Sequence, residues 1–316
     1  MKYGFGVDLG GTTVKLAFFD ETGKMLHKWE IPTATENNGS QILPDIAKAI
    51  ASYLENNAIA PASILGIGMG VPGPVDRKGI VNGCVNLGWG KFNVEEALSS
   101  LTGFPVRAGN DANLAALGEC WKGSGQGYQD MIMVTLGTGV GGGILMDGRI
   151  VCGARGSAGE IGNMIINRNE PEMHTSGNYG CVEQYCSATG VVHLAKRHLR
   201  VCKTPSILQK EALTCKDVFD AGKAGDPVAL EILEEFYAYF GEFLANIATA
   251  FDPEAVIIGG GMSKAGPMLI DGMHPYFLRH VFHASQGVEF KLATLGNDAG
   301  AYGAFKLVLD DFQTQM

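Results

Sequence analysis

The sequence predicts an α/β protein built from two related domains, and three observations carry that expectation. Strand-like and helix-like stretches alternate from one end of the chain to the other, the pattern of sheets covered by helices. A strand, glycine turn, strand plan at residues 3–19 is repeated at residues 131–146, and self-similarity within one chain points to duplication. At 316 residues the chain is long enough for two cores of ordinary size.

Each element has its own local reason. Tyr3, Phe5, Val7 and Leu9, then Val14, Leu16 and Phe18, alternate as two strands joined through Gly10-Gly11. A third strand is expected near residues 25–31, and residues 42–54 have helical period. Residues 64–71 are apolar and bounded by turn residues, so they read as a buried strand. A short strand at 106–109 leads into 111–121, which has the apolar spacing of a helix. Residues 131–136 and 140–146 are strands around a Gly-Thr-Gly turn. Val228, Ile232, Phe236, Tyr239, Phe243, Ile247 and Phe251 form an apolar stripe over 227–251, with Glu231, Glu234, Glu235 and Glu242 largely off it. Residues 255–258 form a buried strand that runs into Gly259-Gly260-Gly261, and a helix over 298–309 closes the chain. The domains expected from this pass are 1–120, joined by 298–316, and 121–297.

Composition excludes several classes of function. The chain is 46% hydrophobic and 18% charged, which suits a globular protein. Acidic residues outnumber basic ones 33 to 24, for a formal charge of −9; that balance argues against a nucleic-acid partner. It leaves anionic ligands open, because backbone amides bind phosphate without basic side chains. No secretory signal is visible at MKYGFGVDLGG. The uncharged run at 131–146 is shorter than the roughly 20 apolar residues of a spanning helix, so no membrane association is expected. Seven scattered cysteines fit reduced thiols in a cytoplasm better than a disulfide framework.

The chemistry is expected in glycine turns and one carboxylate. In DLGGTTVK, Asp8 to Lys15, paired glycines let backbone N–H groups approach a phosphate, with Thr12 and Thr13 as further donors. An ordinary tight hairpin is the competing reading. TLGTGVGGG, with Gly137, Thr138 and Gly139, is a second turn of this type. GGGM, with Gly260 and Gly261, follows a buried strand where a helix begins. Three such loops in this order are far more specific than one. In GNDANLAALGE, Asp111 sits where a strand meets a helix and can project a carboxylate into a site. A lone Asp before an apolar helix is usually an N-cap, and a capping oxygen turned toward helix amides is poorly placed for catalysis. Asn110 beside it and the phosphate turns elsewhere favour the catalytic role.

These motifs together resemble the ROK-family sugar kinases, closest to the glucokinases of that family, within the actin-like and hexokinase-like ATPases. DLGGTTVK is similar to the family's first phosphate motif, VPGPVD to its sugar-side loop and NDANLAALGE to its catalytic segment. LGTGVGGGI resembles the second phosphate motif, GSAGEIG the sugar-binding turn, FDPEAVIIGGGMS the adenosine motif and GCVEQYCSATG the end of its cysteine-rich segment. The likeness runs nearly the full length.

The resemblance implies two actin-like (ribonuclease H-like) domains around a central cleft. It implies ATP with Mg²⁺ on Gly10, Gly11, Thr12, Thr13, Lys15, Gly137, Thr138, Gly139, Gly260 and Gly261, with the metal on Asp8. The sugar would meet Gly73, Asn86, Asn110, Asp111, Glu160, Asn163 and Glu183, with Asp111 as general base. Phosphoryl transfer through a loose transition state needs alignment and charge stabilisation more than covalent help, and this set supplies both. Glucose is the leading substrate, with N-acetylmannosamine, fructose or allose as alternatives, and a non-catalytic sugar-binding relic as the reading outside enzymes. A sugar-sensing repressor would carry an N-terminal DNA-binding domain, for which about six residues before Asp8 leave no room. The resemblance also implies a homo-oligomer, a dimer or tetramer.

One segment departs from the family. Its structural zinc is held by a histidine in a GEIGH turn and three cysteines in a C-x-C-G-x-x-G-C run; here the turn is GEIGN and the run HTSGNYGC. The four positions become Asn163, His174, Ser176 and Cys181. Only His174 and Cys181 bind zinc well, and Cys186 stands outside the pattern, so zinc is expected to be absent. Residues 164–180, with little apolar surface, are then expected to be among the more mobile parts until sugar binds.

Overall fold

Alternation in the first strands becomes a two-faced sheet, described by a computed structural model covering residues 1–315; Met316, which closes the expected C-terminal segment, lies outside the described residues. The sheet has the order β3-β2-β1-β4-β7, from β1 (Tyr3–Leu9), β2 (Thr13–Asp20), β3 (Met25–Pro32), β4 (Ile64–Val71) and β7 (Val106–Asn110). On one face Phe5, Val7, Val14, Leu16 and Met69 bury against Ile42, Ile46 and Ile50 of α2 (Ile42–Asn56). A short turn of helix, α1 (Glu36–Gly39), precedes it. The hairpin β5 (Ile80–Cys84) and β6 (Trp89–Asn93) and helix α3 (Val94–Thr102) follow β4.

The other face is bare by design of sequence. A Cβ added at Gly6 would lie 2.1 Å from the carbonyl of Ala301, and one at Gly68 would lie 1.6 Å from that of Ala304. Gly4 and Gly66 are similarly crowded by Phe305 and Val308. Glycine at alternate strand positions lets another backbone come this close, and here it is α10 (Ala299–Gln315). The helix runs six residues past the expected end at 309. Helix α4 (Asp111–Lys122) packs on it through Gly118 and Gly303, whose added Cβ atoms would lie 2.2 and 1.7 Å from facing backbone.

The second sheet repeats the plan. Its order is β10-β9-β8-β11-β12, from β8 (Met131–Leu136), β9 (Val140–Met146), β10 (Arg149–Ile150), β11 (Ala255–Gly259) and β12 (Glu289–Leu292). In both sheets the third strand runs parallel to the fourth and the fourth to the fifth. Helices α5 (Val182–Cys186), α6 (Ala188–Val201), α7 (Cys215–Lys223), α8 (Pro227–Phe251) and α9 (Pro267–His280) complete the fold. α8 begins as its sequence dictates, with Asp226 accepting the Ala229 amide and Pro227 in the first turn.

The chain divides into two compact units: residues 1–129, 143–159 and 295–316, and residues 130–142 and 160–294. The sequence places all of 121–297 in one domain, whereas packing puts 121–129, 143–159 and 295–297 with the first unit; the middle stretch is the largest difference. Gly143 and Gly156 explain why, since their Cβ positions are filled by Ala112 and Ala116 of α4 and by Val75. No described helix is long and apolar enough to cross a membrane.

Candidate active site

In the first unit the carboxyl ends of β1, β4 and β7 lie side by side. Asp8 is in register with Gly70, and Gly70 with Gly109. Ligands of open α/β sheets bind at such strand ends. The Gly10–Thr13 turn is closed by the Gly10 amide on the Thr13 carbonyl, 3.0 Å, and fastened by Thr33, whose hydroxyl donates to Gly10 O at 2.8 Å. Gly11 and Thr12 are exposed at its crest. Nothing lies within 4 Å of a Cβ built on Gly11, so the protein's own packing does not demand glycine there. Lys15 pairs with Asp8 at 3.3 Å across the hairpin, which keeps both the ammonium and the carboxylate beside the turn.

At the β7–α4 junction the N-cap role, which the sequence left open for Asp111, falls to its neighbour. Asn110 is the N-cap: its Oδ1 accepts from the amides of Ala112 at 3.0 Å and Asn113 at 3.1 Å. Its Nδ2 donates to the Gly73 carbonyl at 3.3 Å, tying the VPGPVD loop to the helix start. Asp111 is the first helical residue, half-buried, with Oδ1 accepting the Ala112 amide at 2.8 Å. The carboxylate is therefore placed by the helix rather than needed to cap it. Gly73 packs on the end of β5, where the Cys84 thiol donates to Pro72 O at 3.0 Å. Burial, and then the charge of Asp111, push the Cys84 thiol above its ordinary range. Asn86, exposed on the turn just beyond Cys84, completes this group. Glu119, at the end of the same motif, is wholly buried and accepts the amides of Ser124 and Leu295, a structural task.

The second unit gathers its own set. The turn at 137–139 is braced by α6: the Ala188 amide donates to Gly137 O and the Thr189 hydroxyl to Thr138 O, both at 2.8 Å. A Cβ on Gly137 or Gly261 meets nothing within 4 Å, as at Gly11. Gly260 needs its glycine for the fold, with φ +83° and a Cβ position 2.4 Å from Leu136 O. Gly139 makes room for Glu183, whose Oε2 would lie 2.2 Å from an added Cβ and accepts the Val140 amide at 2.8 Å. Glu160 lies near Glu183; partial desolvation first, and repulsion from Glu183 second, hold its pKa above the usual carboxylate value. Asn163 donates to Glu160 Oε2 at 3.5 Å and accepts from Asn178 at 3.4 Å.

The donor set at the four zinc positions does not fit the metal. Asn163 and Ser176 are poor ligands, Cys181 is buried, and no three His, Cys, Asp or Glu side chains converge as a metal site among the described residues. The Ser176 amide and hydroxyl both lie within hydrogen-bond reach of His174 Nδ1, at 3.3 and 2.9 Å. Nε2 faces Glu183 Oε1 at 3.5 Å. Sequence reasoning missed this contact, and it missed the Val140 amide, because neither residue carries a motif for it. Residues 164–180 do expose Met164, Ile165, Met173 and Tyr179, but they are organised by buried polar groups that the apolar count overlooked.

Comparison with known proteins adds the family. The chain is 41% identical to a glucokinase of Halalkalibacterium halodurans over 309 residues, covering 96% of this chain and 94% of the other. It is 33% identical to a glucokinase of Thermotoga maritima, with 96% of each covered. Among solved structures, a ROK glucokinase of Streptomyces griseus in complex with glucose and AMPPNP superposes with a TM-score of 0.76 at 32% identity, covering 96% and 98% of the two chains. The model of the ROK family matches residues 4–311, and the chain belongs to that family.

Proposed function

We propose that this chain transfers the γ-phosphoryl group of ATP to glucose, making glucose 6-phosphate, with Asp111 as general base. The observation that carries the reading is the division of labour at the β7–α4 junction. Asn110 takes the capping duty, and the neighbouring carboxylate is held at the carboxyl end of the sheet beside the sugar-side loop. Asp111 accepts the proton of the sugar hydroxyl as it attacks phosphorus in line with the leaving ADP. Amides of the Gly10–Thr13 and 137–139 turns receive phosphate oxygens, and Gly260 and Gly261 border the adenosine. Asp8, through water, is the residue suited to hold Mg²⁺, which when bound neutralises charge on the phosphate oxygens. Lys15 beside it offers a further positive charge.

On the sugar side, Glu160, Asn163, Glu183, Gly73, Asn86 and Asn110 contribute polar contacts. Asn110 spends its oxygen on the cap, so it acts through its amide. The glucokinase relatives favour glucose, whereas asparagine at 163 in place of the family's histidine is the feature that distinguishes this sugar site. The protein works without zinc, as a cytoplasmic homo-oligomer, dimer or tetramer, with no nucleic-acid or membrane partner. Coupled ADP-release assays over hexoses and N-acetylhexosamines test the reading. Glucose should give the highest kcat/KM; preference for N-acetylmannosamine, fructose or allose would reassign the substrate, and no turnover on any sugar would leave only the binding relic.

A further inference from the structure

We infer that Glu170 is a positioning residue for sugar binding, a buried carboxylate that staples residues 164–180 to α5 and α6 and thereby fixes Glu183. The inference rests on the reading of Glu183 as a sugar ligand.

The Glu170 side chain is fully enclosed. A carboxylate buried without partners is strongly destabilising, and here three donors meet it: Arg197 of α6 at 2.8 Å, the Glu172 amide at 3.0 Å and the Tyr185 hydroxyl. Tyr185 in turn accepts from Asn167 at 2.7 Å and packs at a tilt of 34° against Tyr239 of α8, ring centres 4.2 Å apart. Gln184 ties the same segment from the other side, accepting the Gly180 amide and donating to Glu172 O, both at 2.9 Å. The loop is closed at its base by the Ile166 and Asn167 amides on Gly180 O.

Glu183, Gln184 and Tyr185 are consecutive on α5, which is only five residues long. A helix of one turn and a little more has almost no hydrogen bonding of its own to set its orientation. Its direction is instead dictated by the two residues after Glu183, both committed to the loop. Glu170 is thus coupled to the Glu183 carboxylate through the backbone of one turn, while His174 and the Val140 amide hold the carboxylate itself. The network does for this loop what a metal would do, from residues none of which occupies a zinc position.

Steady-state kinetics with glucose and ATP varied separately test this, on Glu170→Gln, Tyr185→Phe, Arg197→Ala and Arg197→Lys, with Glu183→Ala as control. Glu170→Gln and Tyr185→Phe should raise the glucose KM about tenfold, the usual scale for groups that orient a ligand-binding residue, with the ATP KM within about twofold. Arg197→Lys should recover most of what Arg197→Ala loses, since it keeps a donor. If Glu170→Gln does not fold, Tyr185→Phe decides, because it removes one hydroxyl and keeps the ring contact with Tyr239. An unchanged glucose KM in folded Tyr185→Phe, beside a raised KM in Glu183→Ala, would overturn the staple alone. An unchanged KM in Glu183→Ala would remove the sugar-ligand reading and the staple with it.

Discussion

The two sheets share one strand order, yet their carboxyl ends have been furnished differently. After the fifth strand of the first sheet comes Asp111, a carboxylate on a capped helix; β11, the fourth strand of the second, ends in bare glycine at 260 and 261. The paired glycine turns differ as well. Residues 10–13 are held by their own hairpin and Thr33, whereas 137–139 lean on α6 and border Glu183. On the function proposed above, one duplicated scaffold carries chemistry in one copy and shape in the other, and substitutions in the two should fail in different parameters.

The largest effect belongs to the copy that carries chemistry. Asp111→Asn or Asp111→Ala should lower kcat by about 10²–10⁴-fold, the usual worth of a positioned base, while ATP binding measured by calorimetry stays near normal. Retention of more than roughly a tenth of wild-type turnover would remove Asp111 from the role. Because Asn110 is the cap, the variant should fold; loss of folding would hand capping back to Asp111.

The glycine turns separate next. Gly11→Val and Gly137→Val place a side chain in space the protein leaves open, so the fold should survive and ATP affinity should fall by roughly tenfold or more. Gly10→Val should weaken ATP and also strain the turn, since a Cβ there would lie 2.9 Å from Thr13 O. Gly139→Ala should raise the sugar KM together with the ATP KM by displacing Glu183. If it changed ATP alone, the shared wall between the two ligands would be wrong.

A smaller effect tests the buried staple through pH. Burial of Glu170 favours its neutral form, but hydrogen bonds from Tyr185, the Glu172 amide and Arg197 outweigh that and hold its pKa below the ordinary 4.5. A carboxylate with a depressed folded-state pKa stabilises above its unfolded value and loses that contribution as pH falls through the folded one. The Tm gap between wild type and Glu170→Gln should be full above about pH 5 and shrink steadily below it. A gap independent of pH would mean that shape rather than charge is what Glu170 supplies.

Least of all should change on chelation. The purified protein is expected to contain no stoichiometric zinc and to keep its activity after EDTA once Mg²⁺ is restored, as elemental analysis and the coupled assay would check. Asn163→His alone should recruit none, because Ser176 still breaks the set. One zinc per chain, lost together with activity, would make Cys186 the ligand to test.

What could be read beforehand follows from how local its cause is. The glycine turns and the strand–helix junction at Asp111 are contiguous motifs, and the long stripe of α8 is periodic, so their place in the fold was legible. Helices α3 and α7 had local signals that went unread: Asn93 and Gly103 bracket the first, and Thr214 with Asp217 forms a capping box on the second. The extent of α10 was hidden by Asp310 and Asp311, which look like an ending and instead line an exposed edge, Asp311 binding Arg107 at 2.9 Å. The burial of Glu170 was not legible at all. Its partners stand 15 and 27 residues further on, and no periodicity connects an acidic loop residue to a tyrosine and an arginine on two later helices. Assigning the cap to Asn110 rather than Asp111 needed coordinates for the same reason, since both residue types cap well.

The glycine-floored face of the first sheet sets an order of events during synthesis. Residues 4, 6, 66 and 68 emerge early, but the helix that covers them is made only after the whole second unit. At translation rates of about 5–20 residues per second, that face waits on the order of tens of seconds for its cover. The second unit, complete by residue 294, is therefore free to fold first. The first unit finishes after it, when α10 leaves the ribosome and lays its backbone on the bare strands.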